Sequence, residues 1–275
     1  MVGCSSATSG RSESTKRPVL TDHRAADIAA GGQGAPLVPA LDVLLLAGRP
    51  RSAALNLGGI SNMTVVDPGA QPYAYDLGPA NALVDAAVVR MSGGEERYDR
   101  DGRYASEGRV DEELLADLLA EPYYFWPTPK STGKELFHEA YLDGYRSRHP
   151  GVEGVDLVAT LTELSARVVG AELSKVGVTE VFASGGGTSN PVLMQRIQAA
   201  ANGVRVGTID ELGVPSDVKE ALAFALIGYL TAHELPGNVP SCTGAAGPRV
   251  LGRLGPVSTR IPVDHVPAPT GLVVV

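Results

Sequence analysis

Cysteine is nearly absent from this 275-residue sequence, which contains only Cys4 and Cys242, at opposite ends. Two distant thiols argue against a disulfide framework and against a cysteine-rich metal cluster. No apolar run approaches the length of a membrane span, and no apolar segment precedes Cys4. Neither a membrane helix nor a signal peptide is therefore predicted, and a cytoplasmic location is expected.

An excess of basic charge is also missing. The chain has 31 acidic and 23 basic residues, for a formal net charge of −8. This balance argues against a nucleic-acid partner, which would require a basic face. Anionic small ligands remain open, because backbone N–H groups bind phosphate without Lys or Arg.

Apolar and polar segments alternate in a way that predicts strands alternating with helices, which indicates an α/β fold. Thr160 and Glu163 form a capping box that would begin the long helix, and Ser216 would cap the last one. Residues 1–17 lack apolar periodicity and are predicted to be disordered. The predicted strands lie at 19–21, 53–57, 63–66, 180–184 and 204–209, and the predicted helices at 83–91, 111–120, 160–175, 191–201 and 217–235.

Two segments run from an apolar strand into paired glycines and then Ser-Asn: LNLGGISN (55–62) and FASGGGTSN (182–190). A backbone without side chains lets a ligand approach closely. The first segment is typical of a hairpin turn, whose N–H groups can cradle phosphate. The second is typical of a strand–turn–helix unit, whose first helical N–H groups would also face a ligand. Each could equally be an ordinary tight turn, and neither fits the dinucleotide or P-loop pattern, which leaves a Rossmann oxidoreductase poorly supported.

Four charged residues are candidates for chemistry. Asp76 follows Tyr-Ala-Tyr at the mouth of a predicted strand, where it could be a general base or could cap the helix that follows. Arg24 and Asp27 lie in TDHRAAD, where the guanidinium could bind a carboxylate or form a surface ion pair with a neighbouring Asp. Glu220 lies near the start of a helix, where the dipole favours a carboxylate in any case.

Other polar and aromatic residues are expected to be structural. Asn81 is predicted to orient the neighbouring turn rather than to do chemistry. The aromatic residues 123–126 are predicted to lie in the core.

The hairpin turn and the triple-glycine turn together resemble the phosphate and adenosine turns of the actin/hexokinase-type ATPase superfamily. Six further segments, in this order, make residues 18–256 similar to the anhydro-N-acetylmuramic acid kinase family: TDHRAADIAAGGQGAPLVP, YDLGPANALVD, TPKSTGKELF, VATLTELSA, KEALAFALIGY and LPGNVPSCTGA. The resemblance implies an α/β actin-like ATPase (ribonuclease H-like) fold with one complete lobe and a partial N-terminal lobe. The implied segments are a remnant of the N-terminal lobe with a sugar-contacting loop (18–52), a C-terminal ATPase lobe (53–235) and a Pro/Gly-rich tail (236–275). Residues 1–17 are predicted to be a disordered or non-native leader, unrelated to the family.

The resemblance also implies an activity: an ATP- and Mg²⁺-dependent kinase of peptidoglycan recycling. Such an enzyme cleaves the anhydro bridge of 1,6-anhydro-N-acetylmuramic acid and phosphorylates O6. Asp76 would activate the attacking water, and Arg24, Asp27 and Glu220 would contact the sugar. No protein ligand for a metal is implied, and homodimer formation is left open. The implied nucleotide and phosphate contacts are Asn56, Gly58, Gly59, Asn62, Gly78, Gly185, Gly186, Gly187 and Asn190.

The sequence departs from the family pattern at four places, one of which is TDHR (21–24), where the family has Ser-Asp-Phe-Arg. Leu77 and Ala80 stand where the family usually has Thr and Gly, and a lost hydroxyl would weaken the positioning of phosphate or metal. The family's first phosphate loop, Gly-Thr-Ser-x-Asp-Gly, does not occur in the sequence. Phosphoryl transfer depends on preorganised donors, so weak transfer is expected. The alternative function is a non-catalytic relative that binds sugar or nucleotide.

Overall fold

Each predicted strand and helix has a counterpart in the structure, with changes at several of the ends, and the structure adds elements that were not predicted, among them the strand 73–79 that contains Asp76. The structure, a computed structural model, describes residues 19–133, 135–255 and 266–272. Its strands are β1 (Leu20–Thr21), β2 (Ser52–Leu57), β3 (Ile60–Val66), β4 (Tyr73–Pro79), β5 (Glu180–Ser184), β6 (Arg205–Thr208) and β7 (Arg253–Leu254). Its α-helices are α1 (Ala25–Ala29), α2 (Pro39–Leu45), α3 (Asn81–Met91), α4 (Arg103–Glu107), α5 (Glu112–Leu119), α6 (Glu139–Arg146), α7 (Gly154–Val176), α8 (Pro191–Ala200), α9 (Lys219–Ala232) and α10 (Pro240–Thr243).

Five strands form one sheet in the order β4-β3-β2-β5-β6. β2, β3 and β4 are consecutive antiparallel neighbours, whereas β5 is parallel to both β2 and β6. Parallel neighbours require a long crossover connection: the chain passes through α3 to α7 before β5 pairs with β2, and through α8 between β5 and β6. This mixed sheet with its crossover helices confirms the predicted α/β class and agrees with the implied ribonuclease H-like ATPase fold.

The main hydrophobic core lies on one face of this sheet. Side chains alternate between the two faces of a strand, and Leu55 of β2 lies opposite Met63 of β3, so both join this core. α7 packs here together with α3, α4, α5 and α8, and it is buried along most of its length. On the opposite face, Leu46, Ala54 and Phe182 form a smaller cluster.

The predicted start of the long helix is wrong, because α7 already begins at Gly154. Thr160 lies inside the helix, where its hydroxyl donates to the carbonyl oxygen of Asp156 at 2.7 Å and accepts from the N–H of Asp111 at 2.9 Å. A Thr hydroxyl within a helix can bond to the carbonyl four residues earlier. The Thr-x-x-Glu pattern alone therefore does not distinguish a cap from a helix interior.

The predicted cap of α9 is also wrong. α9 begins at Lys219, beyond Ser216. The Ser216 hydroxyl donates instead to the carboxylate of Asp210, and this hydrogen bond lowers the pKa of the Asp210 carboxyl.

The aromatic residues 123–126 divide between core and surface, so the prediction that they all lie in the core is only half right. Tyr123 and Tyr124 are buried, whereas Phe125 is 74% exposed and Trp126 is 57% exposed. Three of the four lie on the 3₁₀ turn Pro122–Phe125 and the fourth directly follows it. Such a turn has three residues per turn, so successive side chains point in different directions.

Packing divides the chain into two compact units. Of the described residues, one unit comprises those up to Leu41 together with those of Ala221–Pro269, and the other comprises those of Asp42–Glu220 together with those from Thr270. The five-stranded sheet belongs to the second unit. The first contains β1, β7 and a small core of Leu37, Ile227 and Leu251. The division differs from the predicted segments, because the chain beyond residue 220 packs with residues before 42 that are distant in sequence.

Gly170 of α7 lies where α8 approaches closely: an added Cβ would be 2.5 Å from the carbonyl oxygen of Ala200. Gly170→Ala should lower the free energy of unfolding by about 1–3 kcal/mol, because backbone cannot yield easily and overpacking outweighs the helix propensity of Ala. Gly144 in α6 is the matched control, since an added Cβ there would meet nothing within 4 Å. Gly144→Ala should raise the free energy of unfolding by up to about 1 kcal/mol. Urea denaturation measures both, and effects of the same sign would contradict this packing.

Candidate functional site

The Gly-Gly turn between β2 and β3 is held by the start of α3. The main-chain N–H of Asn81 donates to the carbonyl oxygen of Gly58 at 3.0 Å, and those of Ala80 and Ala82 donate to that of Gly59 at 2.9 and 3.0 Å. Nδ2 of Asn81 also donates to the Gly58 carbonyl oxygen, at 2.8 Å. The prediction that Asn81 orients the turn is thus confirmed. The carbonyls face α3, and within the described chain the N–H groups of Gly58 and Gly59 donate to no acceptor.

A row of polar side chains crosses the sheet next to this turn. Asp76 of β4 lies opposite Asn62 of β3, Asn62 opposite Asn56 of β2, and Asn56 opposite Ser184 of β5. Directly opposed residues project from the same face, and here that face is the one away from the main core. Neighbouring strands lie about 4.8 Å apart, so these four residues, termed the polar row, extend over about 14 Å.

The carboxylate of Asp76 is held by a segment that follows the buried aromatic residues. Its Oδ2 accepts from Oγ of Ser131 at 2.9 Å and from the N–H of Thr132 at 3.0 Å. Burial raises the pKa of Asp76 above its ordinary value, and these two hydrogen bonds oppose the rise. Oδ1 accepts no hydrogen bond from the described residues. A positioned carboxylate with a raised pKa and a free oxygen has the properties of a general base.

The alternative role of Asp76, as a helix cap, is wrong. The residue at the N-cap position of α3 is Ala80, and no side chain caps that helix. The first N–H groups of α3 donate to the carbonyls of the Gly-Gly turn instead. Asp76 itself lies within β4, before the helix begins.

The departures at Leu77 and Ala80 both lie in the core. Leu77 is the extra residue of a β-bulge, where the register of β3 and β4 shifts between Ser61 and Asn62. Both Leu77 and Ala80 are fully buried. A hydroxyl at position 77 would enter the core rather than the polar row, so the location of Leu77 does not support the expected loss of phosphate or metal positioning.

The outer glycines of the triple-glycine turn pack against β2. A Cβ on Gly185, whose φ is +87°, would lie 2.8 Å from Oδ1 of Asn56. A Cβ on Gly187 would lie 2.6 Å from Cβ of Leu57. A Cβ on Gly186 would meet nothing within 4 Å. The two glycine turns therefore adjoin, and the middle glycine leaves open space for a ligand.

Two predicted nucleotide residues have structural roles in this arrangement. A Cβ on Gly78 would lie 2.8 Å from Cε1 of Tyr124, so this glycine permits close packing. Oδ1 of Asn190 accepts from the N–H groups of Val192 and Leu193 at 3.1 and 3.0 Å, which makes Asn190 the N-cap of α8. These first N–H groups of α8 are thus not directed at a ligand, contrary to the expectation from the sequence.

Asp27 is the centre of a hydrogen-bond network in the other unit. It is fully buried. Its Oδ1 accepts from Nδ2 of Asn238 and Oγ1 of Thr243, both at 2.7 Å, and its Oδ2 accepts from the N–H of Gly34 at 2.8 Å. These contacts give Asp27 a structural role, and they do not favour the predicted direct contact with a sugar.

Arg24 and Glu220 are both exposed and lie in different units. Arg24 stands at the start of α1 and forms no ion pair within the described chain, so the alternative of a surface pair with a neighbouring Asp is not observed. Glu220 lies in the first turn of α9. Lys219, beside it, forms a buried ion pair with Asp42, with Nζ 2.8 Å from Oδ1.

Sequence reasoning missed the donors to Asp76. Ser131 and Thr132 belong to TPKSTGKELF, which was informative only as part of the family resemblance. Two hydroxyl residues in succession after Lys130 are the only local signal. A partner 55 residues away could not be inferred from it.

Among the described residues, no group of three or more His, Cys, Asp or Glu side chains is placed to hold a metal ion. Across the same residues, every helix is too short or too polar to cross a membrane.

Comparisons with known proteins match most of the chain. A family model described as anhydro-N-acetylmuramic acid kinase matches residues 9–257. The anhydro-N-acetylmuramic acid kinase of Streptomyces coelicolor is 53% identical over 260 residues, which cover 94% of this chain and 66% of that protein. That of Rhodococcus erythropolis is 50% identical over 265 residues, covering 93% and 67%. That of Pseudomonas paraeruginosa is 44% identical over 248 residues, covering 89% and 67%.

The chain thus spans about two thirds of the length of these relatives. The match begins at residue 9, so part of the segment 1–17, predicted to be an unrelated leader, lies inside it. Among solved structures, the activator of the 2-hydroxyisocaproyl-CoA dehydratase from Clostridium difficile with bound ADPNP is 14% identical. The TM-score is 0.38, and the match covers 67% of this chain and 63% of the activator, a likeness too weak to support a conclusion. The family model and the curated relatives agree, and the chain belongs to the anhydro-N-acetylmuramic acid kinase family.

Proposed function

We propose that this chain is an ATP-dependent kinase that opens the anhydro bridge of 1,6-anhydro-N-acetylmuramic acid and phosphorylates O6, giving N-acetylmuramic acid 6-phosphate. The observation that carries the proposal is the position of Asp76 in the polar row, beside two adjoining glycine turns, in a member of this family. The curated relatives are named for this activity, and the chain matches about two thirds of their length.

The proposed reaction joins a hydrolysis to a phosphoryl transfer. Asp76 takes a proton from a water molecule, whose oxygen forms a bond to the anomeric carbon C1 of the sugar. The bond between C1 and O6 breaks, and its electron pair stays on O6. O6 then forms a bond to the γ-phosphorus as the bond to the departing ADP breaks. The proton on Asp76 passes to solvent, which returns the base to its starting state.

The residues around the polar row fit the two substrates. The N–H groups of Gly58 and Gly59 can donate to phosphate oxygens, because the described residues give them no other acceptor. The open space at Gly186 suits the adenosine side of the nucleotide. Contact of Arg24 and Glu220 with the sugar stays a prediction of the family resemblance, since a guanidinium can bind the lactyl carboxylate and a carboxylate can bind hydroxyl groups. ATP supplies the phosphoryl group, and Mg²⁺ would be held largely by its phosphates.

The cellular role that follows is the recovery of cell-wall amino sugars. Because the nucleotide is ATP, we place the protein in the cytoplasm. The proposed partners are the amino sugar and ATP, without nucleic acid, and formation of a homodimer stays a prediction.

Formation of ADP, followed with a coupled assay, tests the proposal. Mg-ATP with the anhydro sugar should give ADP, and N-acetylmuramic acid, which has no bridge to open, is the control acceptor. In ¹⁸O-labelled water, mass spectrometry of the first turnovers should find the label on C1 and not in the phosphate. No sugar-dependent ADP, or label in the phosphate, would contradict the proposed function.

Asp76→Asn should lower the turnover rate by about 10²–10⁴-fold, because the amide keeps the size of the side chain and removes its basicity. Burial disfavours the ionised form of Asp76, so removal of this charge should not destabilise the folded protein. Where folding raises the pKa of a carboxyl group, the free energy of unfolding of the protein falls as pH rises through that pKa. The variant should therefore unfold at no lower temperature than the parent at pH 7. Turnover within a few-fold of the parent would assign the base to another residue.

Gly186→Val should weaken ATP binding about tenfold or more, because the side chain would occupy space open to the ligand while the fold is retained. Isothermal titration calorimetry measures the affinity. Gly151→Val is the matched control: an added Cβ there also meets nothing within 4 Å, and the site lies in the loop before α7. Unchanged ATP affinity in a folded Gly186→Val variant would exclude this turn from the nucleotide site.

A further inference from the structure

A buried ion pair lies on the core side of β4. Nζ of Lys130 is 3.3 Å from Oε1 of Glu172 in α7, and the two side chains are only 2% and 5% exposed. Burial lowers the pKa of Lys130, and the Glu172 carboxylate opposes that shift. A buried ion pair is weak evidence for stability, because apolar residues of similar volume often serve as well. Its presence calls for another explanation.

The Lys130 side chain binds back to the backbone at the start of the loop Tyr123–Lys130. Its ammonium donates to the carbonyl oxygen of Tyr123 at 3.3 Å and to that of Tyr124 at 3.0 Å. It also lies 4.9 Å from the centre of the Tyr123 ring. The segment from Tyr123 to Lys130 is therefore held in one conformation from inside the core.

Apart from its pairing with β3, Asp76 forms its hydrogen bonds with the segment Tyr123–Thr132. The N–H of Asp76 donates to the carbonyl oxygen of Lys130 at 3.1 Å. The carbonyl oxygen of Asp76 accepts from Oη of Tyr123 at 2.7 Å. Ser131 and Thr132, directly after Lys130, hold the carboxylate. The position of Asp76 thus depends on the position of the loop.

Glu172 connects the loop to the strand itself. Its Oε2 accepts from Oη of Tyr75 at 3.1 Å, and Tyr75 precedes Asp76 in β4 but faces the core. Its Oε1 also lies 2.9 Å from Nζ of the half-exposed Lys175. One carboxylate on α7 therefore binds both the strand that carries Asp76 and the loop that holds its side chain.

We propose that Lys130 and Glu172 are positioning residues for the reaction: the ion pair fixes the segment Tyr123–Thr132 so that Ser131 and Thr132 hold the Asp76 carboxylate in place. This inference rests on the proposed role of Asp76 as general base. Neither residue of the pair touches the reacting atoms.

A positioning role can be distinguished from a merely structural one, because the pair is connected to Asp76 through the hydrogen bonds of the segment Tyr123–Thr132. Removing both members of the pair together leaves the net charge unchanged, so a change in the pKa of Asp76 would report a change in its hydrogen-bond donors. The donors Ser131 and Thr132 lower that pKa. Loss of the ion pair should loosen these donors and so raise the pKa of Asp76.

The test is the double variant Lys130→Met/Glu172→Gln, which removes both charges together and leaves an acceptor for Tyr75. The turnover number should fall about tenfold, with little change in either KM, because substrate contacts are retained. The base must be ionised, so the acid limb of the pH–rate profile should move to higher pH by about one unit. The Asp76 carboxyl, followed by ¹³C NMR without substrate and assigned with Asp76→Asn, should titrate at higher pH by the same amount.

Arg167→Gln is the control on the same helix, since Arg167 forms an exposed ion pair with Glu163, and it should change neither rate nor titration. If the double variant does not fold, Glu172→Gln alone is measured against the same criteria. An unmoved Asp76 titration and an unmoved acid limb in a folded variant would overturn the positioning role, while loss of activity in Asp76→Asn would still support the base. The NMR titration stands even if the anhydro sugar is not the substrate, so the two proposals can fail separately.

Discussion

The two-sided pairing of β2 is the constraint on which the rest of the site depends. β2 is antiparallel to β3 and parallel to β5. The turns that follow β2 and β5 therefore lie next to each other, at the carboxyl ends of these two strands. These turns can lie in contact only because Gly185 and Gly187 have no side chains, since a Cβ on either would collide with β2. A register slip of one residue would turn Asn56 into the core and remove it from the polar row.

The edge of the sheet is the second determinant. β4 is an edge strand, and such strands carry unpaired N–H and C=O groups that other chains can bind. Here the segment Tyr123–Thr132 takes those groups at Asp76 and also supplies the donors to its carboxylate. The same segment therefore satisfies the backbone of the edge strand at Asp76 and fixes the partly buried carboxylate. Glu172 of α7 holds this segment through its ion pair with Lys130.

Two aspartates illustrate how environment separates structure from chemistry. Asp27 is fully buried and accepts three hydrogen bonds from its own unit, so its carboxylate organises loops. Asp76 is only partly buried, and both of its recorded side-chain bonds go to one oxygen. The other oxygen is left for a proton, and burial raises the pKa toward the range where a base is useful.

The sequence by itself determined four of the five strands of the sheet, the Gly-Gly hairpin and the family, because alternation, glycine turns and motif order are local or linear properties. It also indicated Asp76 and the role of Asn81, which lie within a few residues of those turns. Only the tertiary structure decided that Ser131 and Thr132 hold Asp76, and that Thr160 lies inside a helix. It likewise decided that Asp27 binds Asn238 and Thr243, 211 and 216 residues later. Hydrogen bonds between residues so far apart leave no periodic pattern in a single sequence, and they form only when packing brings their partners together.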